Sequence, residues 1–164
     1  VIDSRSAGSE LVLLVKKICE LIESGADFET VVEKAELYSR HTHVVFALSS
    51  FNNLVKNGRM SKIVGFVANK LGFWGIGIGS EQGTIEIKQK IRGSKKALDA
   101  IIEDMKERGY NCGKVVISHC RNAEFAESVK SAIQSVWDKA EVKIVHARGL
   151  CSYYAEKGGL IIGF

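Results

Sequence analysis

The stretch FWGIGIGSEQGTIEIKQKIRGSKKALDAIIEDM, residues 73–105, decides the architecture. Its first part reads as a strand, and a turn around Glu81–Gly83 leads into a second strand. In that second strand Ile85, Ile87 and Ile91 are expected on one face, with Glu86, Lys88 and Lys90 on the other. Helical spacing then takes over, with Leu98, Ile101, Ile102 and Met105 in one stripe ended by Gly109. A hairpin running into an amphipathic helix excludes an all-parallel sheet and an all-helical bundle alike.

Downstream, the rhythm continues as strand (114–118), helix (123–137), strand (142–146) and strand (159–164). Phe125, Val129, Ile133 and Val136 form the stripe of that helix, and Asn122 stands at its cap. Upstream, a short strand is expected at Val1–Asp3. A helix follows with Leu11, Leu14, Val15, Ile18 and Ile22 on its core face, closed by Gly25. Asp27 can cap a second helix with Phe28, Val31, Val32, Ala35 and Tyr38 as its apolar face. HVVFAL (43–48) reads as a buried strand, Phe51–Val55 as a helical stretch, and SKIVGFVANKL as a further helix. The fold class is therefore α/β: a layered domain with a mixed β-sheet and flanking helices. A boundary is expected near residues 40–43. The apolar start VIDSRS and the β-rich end GGLIIGF both read as parts of something larger.

Composition limits the function classes. At 164 residues, 46% hydrophobic and 26% charged, the chain has globular composition. Its net charge of +4 suits an anionic ligand or partner without indicating nucleic acid, since no aromatics interleave with the lysines. No apolar run is long enough for stable membrane insertion, and a cytoplasmic location is the expectation. Cys112 and Cys120 bracket a strand, which separates them by about 25 Å and argues against a shared zinc or disulfide. No metal or cofactor is expected. GIGIGS lacks both the spacing and the following helix of a dinucleotide site. Gly75, Gly77 and Gly79 instead leave one strand face bare, for a packed helix or an apolar ligand.

Two turns concentrate positive charge. LVKNGRMSK (54–62) sets Lys56, Arg59 and Lys62 around Gly58, and KQKIRGSKKAL carries five cations from Lys88 to Lys96 with no acid. Ser94 can cap the following helix, which puts Lys95 and Lys96 at the positive end of its dipole. An anion beside Arg92 would reverse that unfavourable sign; the alternative is lysines reaching into solvent. CSYYAEKGGLIIGF is expected to hold Tyr153 and Tyr154 in a polar loop before the last strand. Cys151 has no lysine–histidine–acid grouping beside it to make it a nucleophile, and His119 ends a strand, where active-site groups often sit and where loop polarity accounts for it equally.

Together, VIDSRSAG, LVKNGRMSK, QKIRGSKKAL, VVISHCRNAEFAESV and GGLIIGF resemble, in order, the motifs of the DegV family of bacterial fatty-acid-binding proteins. The resemblance implies two α/β domains holding a long-chain fatty acid between them, with its tail in a tunnel and its carboxylate near the domain junction. It implies a separate fatty acid kinase that makes the acyl phosphate for phospholipid synthesis, so that the chain itself is not an enzyme. Residues 1–42 would close the first domain, and 43–164 would form the second. Arg59, Ser61, Arg92 and Tyr154 would face the lipid head group or the partner. The family's usual Gly-Thr-His-x-Gly-Pro-Gly run is replaced here by SYYAEKGG, placing Tyr154 where the histidine stands; a tyrosine can hydrogen-bond a carboxylate but cannot act as an imidazole. The usual lysine-proline is replaced by FWGIGIG. A phosphotransferase domain related to dihydroxyacetone kinase is the alternative within this fold.

Overall fold

The computed structural model describes residues 1–60 and 73–164; the helix expected over SKIVGFVANKL, with Ser61, lies outside the described residues. The described elements are α1 (Ser9–Glu23), α2 (Phe28–Ser39), β1 (Val44–Leu48), α3 (Asn52–Lys56), β2 (Phe73–Gly79), β3 (Ile85–Arg92), α4 (Ser94–Glu107), β4 (Lys114–His119), α5 (Ala123–Val136), β5 (Glu141–His146), α6 (Gly149–Ala155) and β6 (Leu160–Gly163). Six strands form one sheet in the order β3-β2-β1-β6-β4-β5. β4 and β5 run parallel, and the other neighbours are antiparallel. The mixed sheet with flanking helices expected from the hairpin is the architecture found.

Each face of the sheet has its own layer. Val45, Ala47, Ile76, Ile117, Leu160 and Ile162 join Ala97, Ile101, Met105, Phe125, Val129 and Ile133 of α4 and α5 in the main core. The other face carries Phe46, Leu48 and Ile161, over which Phe51, Leu54 and Ala155 pack from α3 and α6. The glycines of β2 serve this second face: a Cβ on Gly75 would lie 2.1 Å from the Phe51 ring, and one on Gly77 2.4 Å from the Phe46 ring. Bare backbone therefore admits two aromatic rings where a helix or ligand was expected.

Several expectations are corrected. Residues 1–7 form no strand, because no strand among the described residues pairs with them. Arg5 instead donates to the Glu81 carbonyl at 3.0 Å and ties the segment to the β2–β3 turn. α1 turns a different face inward: Leu13, Leu14 and Leu21 are buried, whereas Val15 and Ile22 are 57% and 60% exposed. LVLLV is apolar all round, so periodicity leaves the rotation open and polar contacts set it. Ser9 Oγ donates to the Ile161 carbonyl (2.6 Å) and shares a 2.8 Å hydrogen bond with Ser118 Oγ, while Thr42 donates to the Glu10 carboxylate (2.9 Å). In α2, Asp27 caps as expected by accepting the Thr30 N–H at 2.8 Å, but Phe28 is 77% exposed.

The isoleucine stripe of β3 also breaks. A bulge pairs Ile76 with Gln89 and Gly77 with Ile87, leaving Lys88 between them. Ile87 stays with the second-face cluster, while Ile91 packs into the main core. The extra residue reaches α4, where Lys88 Nζ meets Asp104 and Glu107 at 2.9 and 2.7 Å. Gly93, not Ser94, occupies the cap position of α4, and Asn122 caps α5 by position without a side-chain cap bond. Finally, Tyr153 and Tyr154 lie in helix α6 rather than in a loop. Leu150, Cys151, Tyr154 and Ala155 give α6 one continuous side toward the second face, a stripe too short to stand out in the sequence.

Candidate functional site

Where the second face is left open by α3 and α6, a groove of about 610 Å³ lies over the sheet. Val44, Phe46 and Leu48 of β1, Ile161 of β6 and Ile85 of β3 form its apolar floor. These residues share a face by strand alternation, and Gly79, opposite Ile85, adds no side chain to that floor. Leu54 and Arg59 stand on the α3 side; Leu150, Cys151, Tyr154 and Ala155 line the α6 side. Asp3 to Ala7 and Gln82 to Thr84 complete the rim. The volume is in the range of small-molecule sites, and the pattern is an apolar trough with polar groups at its edge.

Arg59 is placed by the backbone. Just after α3 comes Gly58, whose φ of 66° is one that glycine adopts freely, and Arg59 N–H donates back to the Leu54 carbonyl at 2.8 Å. The basic glycine turn thus holds an exposed arginine at the groove wall. Tyr154 is half-buried and packs with Leu54 and Phe46. Arg59 and Tyr154 therefore meet at one groove. Arg92 does not line it: it is exposed at the end of edge strand β3, paired in register with Phe73.

A polar cavity of about 680 Å³ lies on the other side of residues 2–5, where Glu10, His43 and Arg108 line it. Burial pushes the His43 imidazole down, and the Arg108 charge adds to the effect. A third recess of about 600 Å³ lies at the ends of β4 and β5. There the His119 and His146 rings meet at a tilt of 54°, with centroids 4.5 Å apart.

His119 is 3% exposed, and its Nδ1 accepts the Asn122 backbone N–H at 3.1 Å, which assigns the neutral ring with its proton on Nε2. Burial holds its pKa below the ordinary 6.5, and the His146 charge lowers it further. Below about pH 6.5 the unfolded chain takes a proton that the folded His119 refuses, so the stability present above that pH is lost as pH falls through the folded value. His119→Asn is expected to flatten this acid slope between pH 7 and pH 5 in urea unfolding series. A slope identical to wild type would refute the assignment.

Three comparisons place this geometry among known proteins. The model of the family described as "Uncharacterised protein, DegV family" matches residues 1–164. The chain belongs to the DegV family. A DegV domain-containing protein of Streptococcus pyogenes serotype M1 is 44% identical over 164 residues, all of this chain and 59% of the relative. The Streptococcus pneumoniae Fatty Acid Kinase (Fak) B3 protein loaded with linoleic acid superposes with a TM-score of 0.97 at 43% identity, covering 100% of this chain and 58% of that one. A DegV family protein from Eubacterium eligens loaded with heptadecanoic acid gives a TM-score of 0.96 at 37% identity, over 99% of this chain and 59% of that one. The DegV chain described here thus spans under two thirds of the length of these relatives. No helix among its described residues is long and apolar enough to cross a membrane.

Residues that sequence reading missed are those that build the trough. Phe46, Leu48 and Ile161 looked like ordinary core strand positions, and the α6 side was hidden in an apparent loop. Their signal was the alternation in VVFAL, which gives β1 two apolar faces where only one meets α4 and α5.

Proposed function

We propose that the full-length DegV protein binds one long-chain fatty acid, with its tail on the floor of the groove and its carboxylate at the rim by Arg59 and Tyr154. The observation that carries this reading is the apolar trough open along one sheet face, with a cation and a phenol on its two walls. The fatty acids borne by the Streptococcus pneumoniae and Eubacterium eligens relatives support it. In this reading residues 1–42 close a first domain and 43–164 form the second, so that the remaining part of the protein roofs the groove. The protein performs no chemistry on the acid. It presents the carboxylate, in the cytoplasm, to a separate fatty acid kinase, and the exposed Arg92 faces that partner.

Energetics rank the roles. Burying roughly ten methylenes is worth about 8 kcal/mol, far above one exposed ionic contact of about 0.5 kcal/mol. Arg59→Gln is therefore expected to weaken binding of a long-chain acid only about twofold to threefold. Turnover of the bound acid by the kinase is expected to fall about tenfold, because charges at a rim steer partners more than they add affinity. The decisive experiment is mass spectrometry of lipid extracted from purified full-length protein, followed by titration with palmitic and oleic acid. Protein that neither carries nor takes up a long-chain acid would overturn the proposal.

A further inference from the structure

Glu156 follows the last turn of α6 with φ 53° and ψ 177°, a backbone conformation that residues with a Cβ rarely adopt. Its carboxylate leaves its own helix and reaches α3. One oxygen accepts the Asn53 backbone N–H at 2.8 Å, and the other accepts the Ser50 hydroxyl at 2.6 Å. The cap position of α3 is Phe51, whose side chain has no acceptor, so the cap comes from across the fold. Asn53 Nδ2 donates to the Tyr153 carbonyl at 2.8 Å, and Asn57 Nδ2 to the Tyr153 hydroxyl at 2.9 Å. A five-residue helix does not hold itself together in water, so these ties, with the buried side chains of Phe51 and Leu54, fix α3. α3 in turn carries Arg59, and α6 carries Tyr154.

We propose that Glu156 is a positioning residue for the ligand's head group. By clamping the start of α3 to the end of α6, it sets the Arg59 wall against the Tyr154 wall and makes the groove prefer a free carboxylate over an uncharged ester. The inference rests on the lipid-binding reading above. A strained backbone retained to deliver one carboxylate to a neighbouring wall means that the surrounding contacts over-determine it. Glutamine can keep both contacts, since its oxygen accepts from Asn53 and its amide can donate to Ser50. Glycine relieves the backbone but loses the clamp, which separates the side chain's role from folding.

The test uses full-length protein and displacement of cis-parinaric acid by palmitic acid and by methyl palmitate. Glu156→Gly is expected to weaken palmitic acid about threefold with the ester unchanged, and Glu156→Gln to bind both compounds as wild type does. Acid and ester weakening in parallel, or Glu156→Gln falling with Glu156→Gly, would overturn the positioning role. So would unchanged amide exchange across residues 53–59 in Glu156→Gly. Wild-type protein that takes up neither compound would overturn the lipid reading itself, whatever the exchange shows.

Discussion

Asp104→Ala is expected to cost about 3 kcal/mol of folding free energy, read as a lowered urea midpoint with little change in slope. Asp104 lies on α4 beside Ile101 and Met105 and is 3% exposed. A carboxylate tolerates that burial only because it is paired twice: Lys88 Nζ at 2.9 Å and Arg108 Nε at 2.9 Å. Removing it leaves two cations that evolved contacts had drawn off the surface. Lys88 and Arg108 keep 32% and 21% of their side-chain surface and can regain some water, which puts the expected cost at the lower end for a broken buried pair. The Lys88 ammonium is held above its ordinary pKa first by the bond to Asp104 and then by Glu107, so the two acids are not equivalent. Glu107 is 54% exposed, and its alanine variant is expected to cost under about 0.5 kcal/mol. Equal costs for the two variants would show that burial is not what makes Asp104 matter.

That ion-pair triad also marks where sequence reading stops. The hairpin of β2 and β3 and the stripes of α4 and α5 were legible because each is a local period bounded by turn residues. Lys88 was read as a solvent-facing member of that period. The bulge that turns it toward α4 depends on the partner strand and leaves no local mark. The same holds for the placement of β6 between β1 and β4, whose pairing with β1 crosses more than a hundred residues and which only the assembled sheet defines. α1 failed for the opposite reason: its sequence offers two apolar faces, and buried hydroxyls on distant strands choose between them. At the site, Gly58 and Arg59 were legible as a charged turn, and Tyr154 by resemblance. The Glu156 clamp was invisible, since a lone glutamate in a polar stretch carries no period and its partners lie about a hundred residues away.

Ile85→Asp is expected to weaken long-chain fatty acid binding about a hundredfold while leaving the fold intact. Ile85 opens β3, pairs with Gly79 and is 38% exposed, an apolar side chain on the groove floor. A tail lying along the floor would cover this position, so a carboxylate there would lose its water without gaining a partner. That penalty, unlike the loss of one methyl contact, is large enough to be read in a simple displacement titration. Folding is spared because edge strands tolerate charge, and Ile85 is not part of either buried cluster. Ile85→Leu keeps the apolar floor and is expected to bind within about twofold of wild type. The pair of variants also distinguishes the trough from its polar neighbour. A tail held instead beside Glu10, His43 and Arg108 would leave Ile85→Asp and Ile85→Leu binding alike, because Ile85 does not line that cavity. The contrast with Arg59→Gln follows from the same physics: an exposed cation at the rim changes affinity by a small factor, whereas one misplaced charge under the methylenes removes much of what holds them.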